Sequence, residues 1–329
     1  SSLYQLLTKN RVDRSNYPFC TIDPNVGIVS VPDKRLDLLA ELVSPEKIIF
    51  STIKFIDIAG IIEGASKGEG LGNRFLANIR ETDLILFVLR SFDSEDIINT
   101  QSKVDPKEEA TLLETELLLK DLETIDNRIR SATKEARAGD KELVFELEAL
   151  QRAKKMIEDG LSLDNLNEKD RSALMPYRLL TMKPRIYLLN GSDRGVSFDK
   201  WPVISFDVAN ELDFSELDQG ERDALGLGES KVDQLITKSY ELLDLITFFT
   251  VGADEARAWK IRRGTLAPDA AGEIHTDFKK KFIKAEVINW KELLEVGGLS
   301  EARKKGLIRT EGKEYIFQDG DVVEIKHGA

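Results

Sequence analysis

Short, nearly continuous apolar runs punctuate a polar chain. Residues 84–89 (LILFVL) and 185–190 (RIYLLN) are flanked by polar segments, as expected for strands buried on both faces of a parallel sheet. Residues 48–58 (IIFSTIKFIDI) are rich in β-branched and aromatic side chains and predict a strand; 203–206 predict a shorter one. Residues 2–8 read as a helix.

Between the runs 84–89 and 185–190 the pattern changes. Over 106–171, Leu113, Leu117, Ile125, Ile129, Leu143, Leu147 and Leu150 recur at helical spacing, interrupted at Ala138-Gly139-Asp140. Two helices joined by a turn are predicted, an antiparallel arm inserted into an α/β domain. The segment is net acidic, the usual composition of a solvated helical face. From about Thr247 the pattern changes again. Residues 248–251 (FFTV), 282–290 and 315–317 (YIF) are β-like and separated by turns such as Gln318-Asp319-Gly320-Asp321, so the tail predicts a compact, mostly β domain. The expected boundaries are 1–105 with 172–246 for the α/β domain, 106–171 for the insert and 247–329 for the tail.

The chain has 329 residues and a formal net charge of -12, which excludes a generally basic nucleic-acid coat. The charge is uneven, however. The tail is near neutral, with basic clusters at Arg262-Arg263, Lys279-Lys280-Lys281 with Lys284, and Arg303-Lys304-Lys305. Phe278, Phe282 and Trp290 lie among these clusters and offer faces on which RNA bases could stack, although the same pattern suits a solvated strand edge with core aromatics. Cys20 is the single cysteine, so an intrachain disulfide is excluded and a reducing, cytoplasmic setting is expected. Beside Thr21 it reads as a small packed side chain. No run approaches the length of a membrane span.

Candidate chemistry centres on Asp57-Ile58-Ala59-Gly60, which ends a predicted strand and leads into the glycine-rich run 64–72 (GASKGEGLG). An aspartate at a strand end can hold magnesium through water, and the glycine lets a backbone N–H reach a terminal phosphate. Upstream, 16–25 (NYPFCTIDPN) is a proline-punctuated loop in which the Thr21 hydroxyl could complete a magnesium shell. Ser1-Ser2 opens a helix, as the end of a phosphate-binding loop does; a capping serine reads equally well from residues alone.

The strings NYPFCTIDPNVGIVSVPDKRL and DIAGIIEGASKGEGLGNRFLANIRETD resemble the YchF or Obg-like ATPase family, in the Obg-type branch of translation-factor-related P-loop NTPases. The resemblance spans nearly the whole chain. It implies a P-loop NTPase domain with a mostly parallel sheet, an inserted helical-hairpin (coiled-coil) arm and a C-terminal β-grasp domain of the TGS type. It implies that Ser1 and Thr21 ligate Mg2+ with Asp57, that Ser1, Ser2, Thr21 and Gly60 meet the phosphates, and that the chain as given begins just past the phosphate-loop lysine. Ile61 stands where Ras-like enzymes carry the glutamine that orients water. An aliphatic side chain cannot do that, so intrinsic hydrolysis is expected to be slow or aided by another group, and no catalytic residue is assigned. Asn99 replaces the histidine the family often has after its fourth strand. His275 and His327, the only histidines, both lie in the tail.

Asn190-Gly191-Ser192-Asp193 occupies the place of the guanine-reading N-K-x-D motif, without its lysine. The family's altered motif, which typically ends in glutamate, favours ATP; Asp193 leaves GTP chemically possible. Ser205 lies near the last base-side loop. Ribosomes or ribosomal RNA are the partners the resemblance implies, and a monomer is expected. A ribosome-binding module that senses nucleotide with negligible turnover, or a GTP-selective GTPase, remain the alternatives.

Overall fold

The computed structural model describes residues 2–9, 26–58, 79–93, 104–135, 140–228 and 230–328. In chain order these form α1 (Ser2–Lys9), β1 (Val26–Ser30), α2 (Lys34–Val43), β2 (Lys47–Ile49), β3 (Thr52–Ile56), β4 (Ile85–Ser91), α3 (Pro106–Glu135), α4 (Lys141–Glu158) and α5 (Glu168–Leu174). There follow β5 (Arg185–Gly191), β6 (Val203–Phe206), α6 (Val208–Asp213), α7 (Gln219–Ala224), α8 (Lys231–Leu242), β7 (Leu245–Val251) and β8 (Glu255–Arg262). The tail continues as α9 (Ala267–Ile274), α10 (Thr276–Lys280), β9 (Phe282–Asn289), α11 (Trp290–Val296), α12 (Leu299–Lys304), β10 (Arg309–Glu311) and β11 (Asp321–His327). Two compact units result, Ser1–Asp57 with Ala209–Ala329, and Ile58–Val208.

In the second unit β4, β5 and β6 pair in parallel, from Ile85↔Arg185 to Ser91↔Gly191 and from Tyr187↔Val203 to Asn190↔Phe206. The central strand β5 is buried from Arg185 to Leu189, which explains its unbroken apolar run. The helical hairpin predicted between the runs 84–89 and 185–190 is present as α3 and α4. Its seam joins Ile125 and Ala132 to Ala149, Leu150 and Ala153, and the small alanines let the two helices approach closely. Cross-links Lys154–Asp126 (2.7 Å) and Arg128–Glu146 (2.6 Å) fix the antiparallel register. Asp140 starts α4 by accepting from the Glu142 amide (2.9 Å), beside the predicted break.

The first unit is organised on a six-stranded sheet of order β10-β9-β11-β7-β8-β2. Alternate residues of its strands point to opposite faces, and both faces are covered. On one, Ile246, Phe248, Ile261, Val287 and Val323 pack against Ala267, Ala270 and Ala271 of α9 and against Phe317. On the other, Phe249, Ala256, Ala258, Ile288 and Val322 pack against Leu36, Leu39 and Ala40 of α2, Leu293 of α11 and Ala302 of α12. The N-terminal segment thus supplies both an edge strand and a covering helix to the sheet of the tail.

Two strand expectations are corrected. The run 48–58 is not one strand but two, in different sheets: β2 pairs with β8 in parallel, whereas β3 pairs with β1 antiparallel. The chain changes sheet at Phe50-Ser51, where the Ser51 carbonyl accepts from the Val31 amide (2.8 Å). Residues 315–317 form no ladder. Ile316 makes one isolated bridge to Leu266, and the Phe317 amide donates to Thr265 O (3.1 Å), so this segment is bonded to the approach of α9 rather than joining the sheet.

Candidate functional site

Within the second unit, the C-terminal ends of β4, β5 and β6 converge on Asn190-Gly191-Ser192-Asp193. In open parallel sheets this is the end at which ligands bind. Asn190 and Gly191 close β5. The Asn190 carbonyl oxygen of the side chain accepts from the Val208 amide (3.0 Å), tying the end of β5 to the turn after β6. Gly191 has φ of 123°, and a Cβ there would lie 2.6 Å from Ser91 O, so only glycine fits where β5 passes the end of β4. Ser192 N donates to Ser91 O (3.2 Å) and the Ser91 hydroxyl donates to Ser192 O (2.6 Å). Asp193 is exposed, and its Oδ1 accepts from the Gly195 amide (2.8 Å). Ser205 lies inside β6, paired with Leu189, two residues before the turn is reached at Asp207.

Residue types alone did not single out the buried polar groups at the two ends of these strands. Ser91 is fully buried. Its signal was a polar residue closing an apolar run. Lys183, also buried, sends its ammonium to the carbonyls of Ile79 (2.8 Å), Arg80 (2.7 Å) and Thr82, holding the end of the helical turn 79–81 to the approach of β5. Burial draws that ammonium down to about 8, with Asp83 opposing the shift. A lone lysine before a strand carries no such signal.

In the first unit, Ser2 is exposed at the start of α1, which is anchored by buried Leu6 and Leu7. Asp57 immediately follows β3, half-buried, and no described residue forms an ion pair with it. Among the described residues no group of three His, Cys, Asp or Glu side chains could hold a metal ion. Ser1, Thr21, Gly60, Ile61, Cys20, Asn99 and the run 64–72 lie outside the described residues.

The tail separates its candidate stacking residues. Phe282 is buried in the sheet core and offers no face to a base. Phe278 is half-buried and stacks on His327 (4.4 Å between centroids), while Trp290 is half-buried beside Gly320. Lys280 and Lys281 are exposed; Lys279 pairs with Asp269 (2.5 Å). His275 serves as a helix cap, its Nδ1 accepting from the Asp277 amide (3.2 Å).

Among the described residues no helix is long and apolar enough to cross a membrane. Residues 245–328 match the C-terminal model of YchF GTPases, described as a protein of unknown function (DUF933), and residues 1–126 match the 50S ribosome-binding GTPase model. The Ribosome-binding ATPase YchF of Haemophilus influenzae is 42% identical over 347 residues, covering 99% of this chain and 95% of its own. The protein of that name from Bacillus subtilis is 41% identical over 348 residues, with the same coverage. The structure of the Schizosaccharomyces pombe YchF GTPase aligns with a TM-score of 0.87 at 32% identity, covering 99% of this chain and 94% of that one. A mixed α/β P-loop fold, a matching C-terminal domain and identity sustained from end to end leave one assignment: the chain belongs to the YchF family.

Proposed function

We propose that this protein is a magnesium-dependent P-loop nucleoside triphosphatase that favours ATP over GTP and uses its nucleotide state to control binding to ribosomes. The observation that carries the reading is the loop 190–193, a hydrogen-bonded turn at the carboxyl ends of three parallel strands, in a chain 42% identical over 99% of its length to a ribosome-binding ATPase. The phosphates fall to Ser1, Ser2, Thr21 and Gly60, and the base side to Asn190, Gly191, Asp193 and Ser205. Mg2+ falls to Ser1, Thr21 and Asp57; the Asp57 carboxylate, which no described residue pairs with, stands directly after β3 and suits that role. When bound, magnesium neutralises the charge that builds on the phosphate oxygens as the bond breaks.

The rest of the chemistry is positioning. Gly191 in place of lysine removes the side chain that packs over guanine, and one acceptor position of Asp193 is already occupied by Gly195 N. Both favour adenine. Functionally, the chain divides into a nucleotide domain (1–105 with 172–246), an arm (106–171) and a TGS-like tail (247–329), working as a cytoplasmic monomer.

Ile61 favours one second reading, a nucleotide-sensing ribosome-binding module with negligible turnover. Phosphate release from the full-length protein with magnesium and ATP or GTP, with and without ribosomes, separates the two. Turnover no greater than that of a Ser1→Ala, Asp57→Ala double variant in every condition would leave only the module. Tight, selective GTP binding in competition with ATP would overturn the base assignment.

A further inference from the structure

Val31-Pro32-Asp33-Lys34-Arg35-Leu36 follows the Thr21 loop and β1, yet nothing in nucleotide chemistry requires it. Its place in the fold is specific. Asp33 caps α2 by accepting from the Arg35 amide (3.0 Å), and the Arg35 guanidinium folds back onto the same carboxylate through Nε (2.8 Å) and Nη2 (2.7 Å). Nη1 of Arg35 reaches Asp319 Oδ2 in the tail (2.7 Å), and the guanidinium lies over the ring of Phe249 in β7, 5.2 Å from its centroid.

From Asp319 the connections run into the middle of the tail sheet. Asp319 Oδ1 accepts from the Thr247 amide (2.9 Å), Gly320 N donates to Thr247 O (2.8 Å) and Trp290 N donates to Gly320 O (3.0 Å). Gly320 has φ of 89°, and a Cβ there would lie 2.5 Å from Trp290 Cδ1, so the indole is pressed against this turn. The other end of the segment is tied as well. β2 pairs with β8, and Lys260 of β8 donates its ammonium to Thr52 O at the start of β3.

Residues 33–52 are therefore bonded into the tail at both ends, while the strands on either side, β1 and β3, pair with each other, and β3 ends next to Asp57. A guanidinium held in fork geometry by one carboxylate and bonded to a second links the positions of the two. We propose that Arg35 is a positioning residue that couples nucleotide state to the tail: nucleotide bound beside Asp57 moves the β1–β3 pair, and Arg35 transmits that movement through Asp319 to the turn beneath Trp290. Nucleotide thereby sets the tail's affinity for its partner. This rests on the nucleotide-dependent reading given above.

The test uses full-length protein labelled with 5-fluorotryptophan, its Trp290 resonance assigned from Trp290→Phe. Saturation with magnesium and a non-hydrolysable ATP analogue shifts that resonance in the wild type. In Arg35→Ala the shift disappears while a fluorescent ATP analogue binds as before, Arg35→Lys restores part of it, and Asp319→Asn, which keeps an acceptor for Thr247 N, weakens it. The ratio of ribosome affinities with and without the analogue, expected at about 5- to 150-fold for an allosteric coupling, falls toward one in Arg35→Ala. A Trp290 shift of wild-type size in Arg35→Ala and in Asp319→Asn overturns the proposal. So does analogue binding to the wild type with no Trp290 response, which leaves the nucleotide reading standing. No analogue binding to the wild type overturns that reading and the proposal with it.

Discussion

Asp121, midway along the first helix of the arm, is the buried acceptor for Thr181 on the approach to β5. It takes the Thr181 amide on Oδ2 (2.8 Å), the Thr181 hydroxyl on the same oxygen (2.7 Å) and the Leu180 amide on Oδ1 (2.8 Å). One carboxylate satisfies three donors where the arm meets the central strand, so the insert is a structural part of the unit formed by Ile58–Val208. Asp121→Ala should cost roughly 2–4 kcal/mol by leaving buried donors unpaired. Hydrogen exchange at Leu180 and Thr181 is the direct check; unchanged protection of both amides would refute the account.

Lys183 should make stability depend on pH in the alkaline range. Its ammonium is drawn down by burial to about 8, from 10.5 in the unfolded chain. The native state therefore releases its proton first, and its stability contribution rises as pH increases from about 8 toward 10.5 and is lost as pH falls back through the lower value. Comparing urea unfolding of the wild type with Lys183→Met across that window isolates the effect. The stability difference between them should change in favour of the wild type as pH rises; a constant difference would mean that the lysine titrates normally.

Gly191→Ala places a methyl group 2.6 Å from Ser91 O and forces a φ of 123° on a residue that strongly disfavours it. The strain should cost about 1–3 kcal/mol, and relieving it must shift Asn190 or Ser192. ATP-analogue affinity should therefore fall together with stability. An alanine variant with wild-type affinity would argue that this loop does not face the base.

The segment 245–328 that matches a family model of its own should not fold stably alone. Removing α2 and β2 strips Leu36, Leu39 and Ala40 from the sheet face that carries Phe249, Ala256, Ala258 and Val322. The fragment is expected to bind a hydrophobic dye and to unfold without a sharp transition. In the full chain, Leu39→Ala, at a fully buried position, should cost about 2–5 kcal/mol and lower hydrogen-exchange protection in β7. A fragment that melts cooperatively would show that α2 is dispensable to the tail.

Much of the fold is written in local patterns. The apolar run of β5 needs no alternation because that strand is buried on both faces, whereas β4, expected to be the same, alternates, with Phe87 and Leu89 buried and Val88 exposed; the helical spacing of Ile125 and Leu150 marked the arm because its seam must be continuous. Glycine at 191 could be recognised as loop chemistry, but the reason for it, the oxygen of Ser91 one strand away, could not. The run 48–58 was read as a single strand because composition reports burial and not the partner: Ile49 and Ile53 are equally buried, in different sheets.

What the sequence determined by itself is therefore the central strand β5, the two arm helices and the residue types available to a phosphate, a metal and a base, since propensity, spacing and side-chain chemistry act over a few residues. What only the tertiary structure decided is which distant groups meet. Lys183 finding three carbonyls, Asp121 finding Thr181, and Arg35 joining Asp33 to Asp319 all depend on contacts between segments far apart in the chain. Such contacts form only once packing has brought the distant segments together, and no local pattern encodes them.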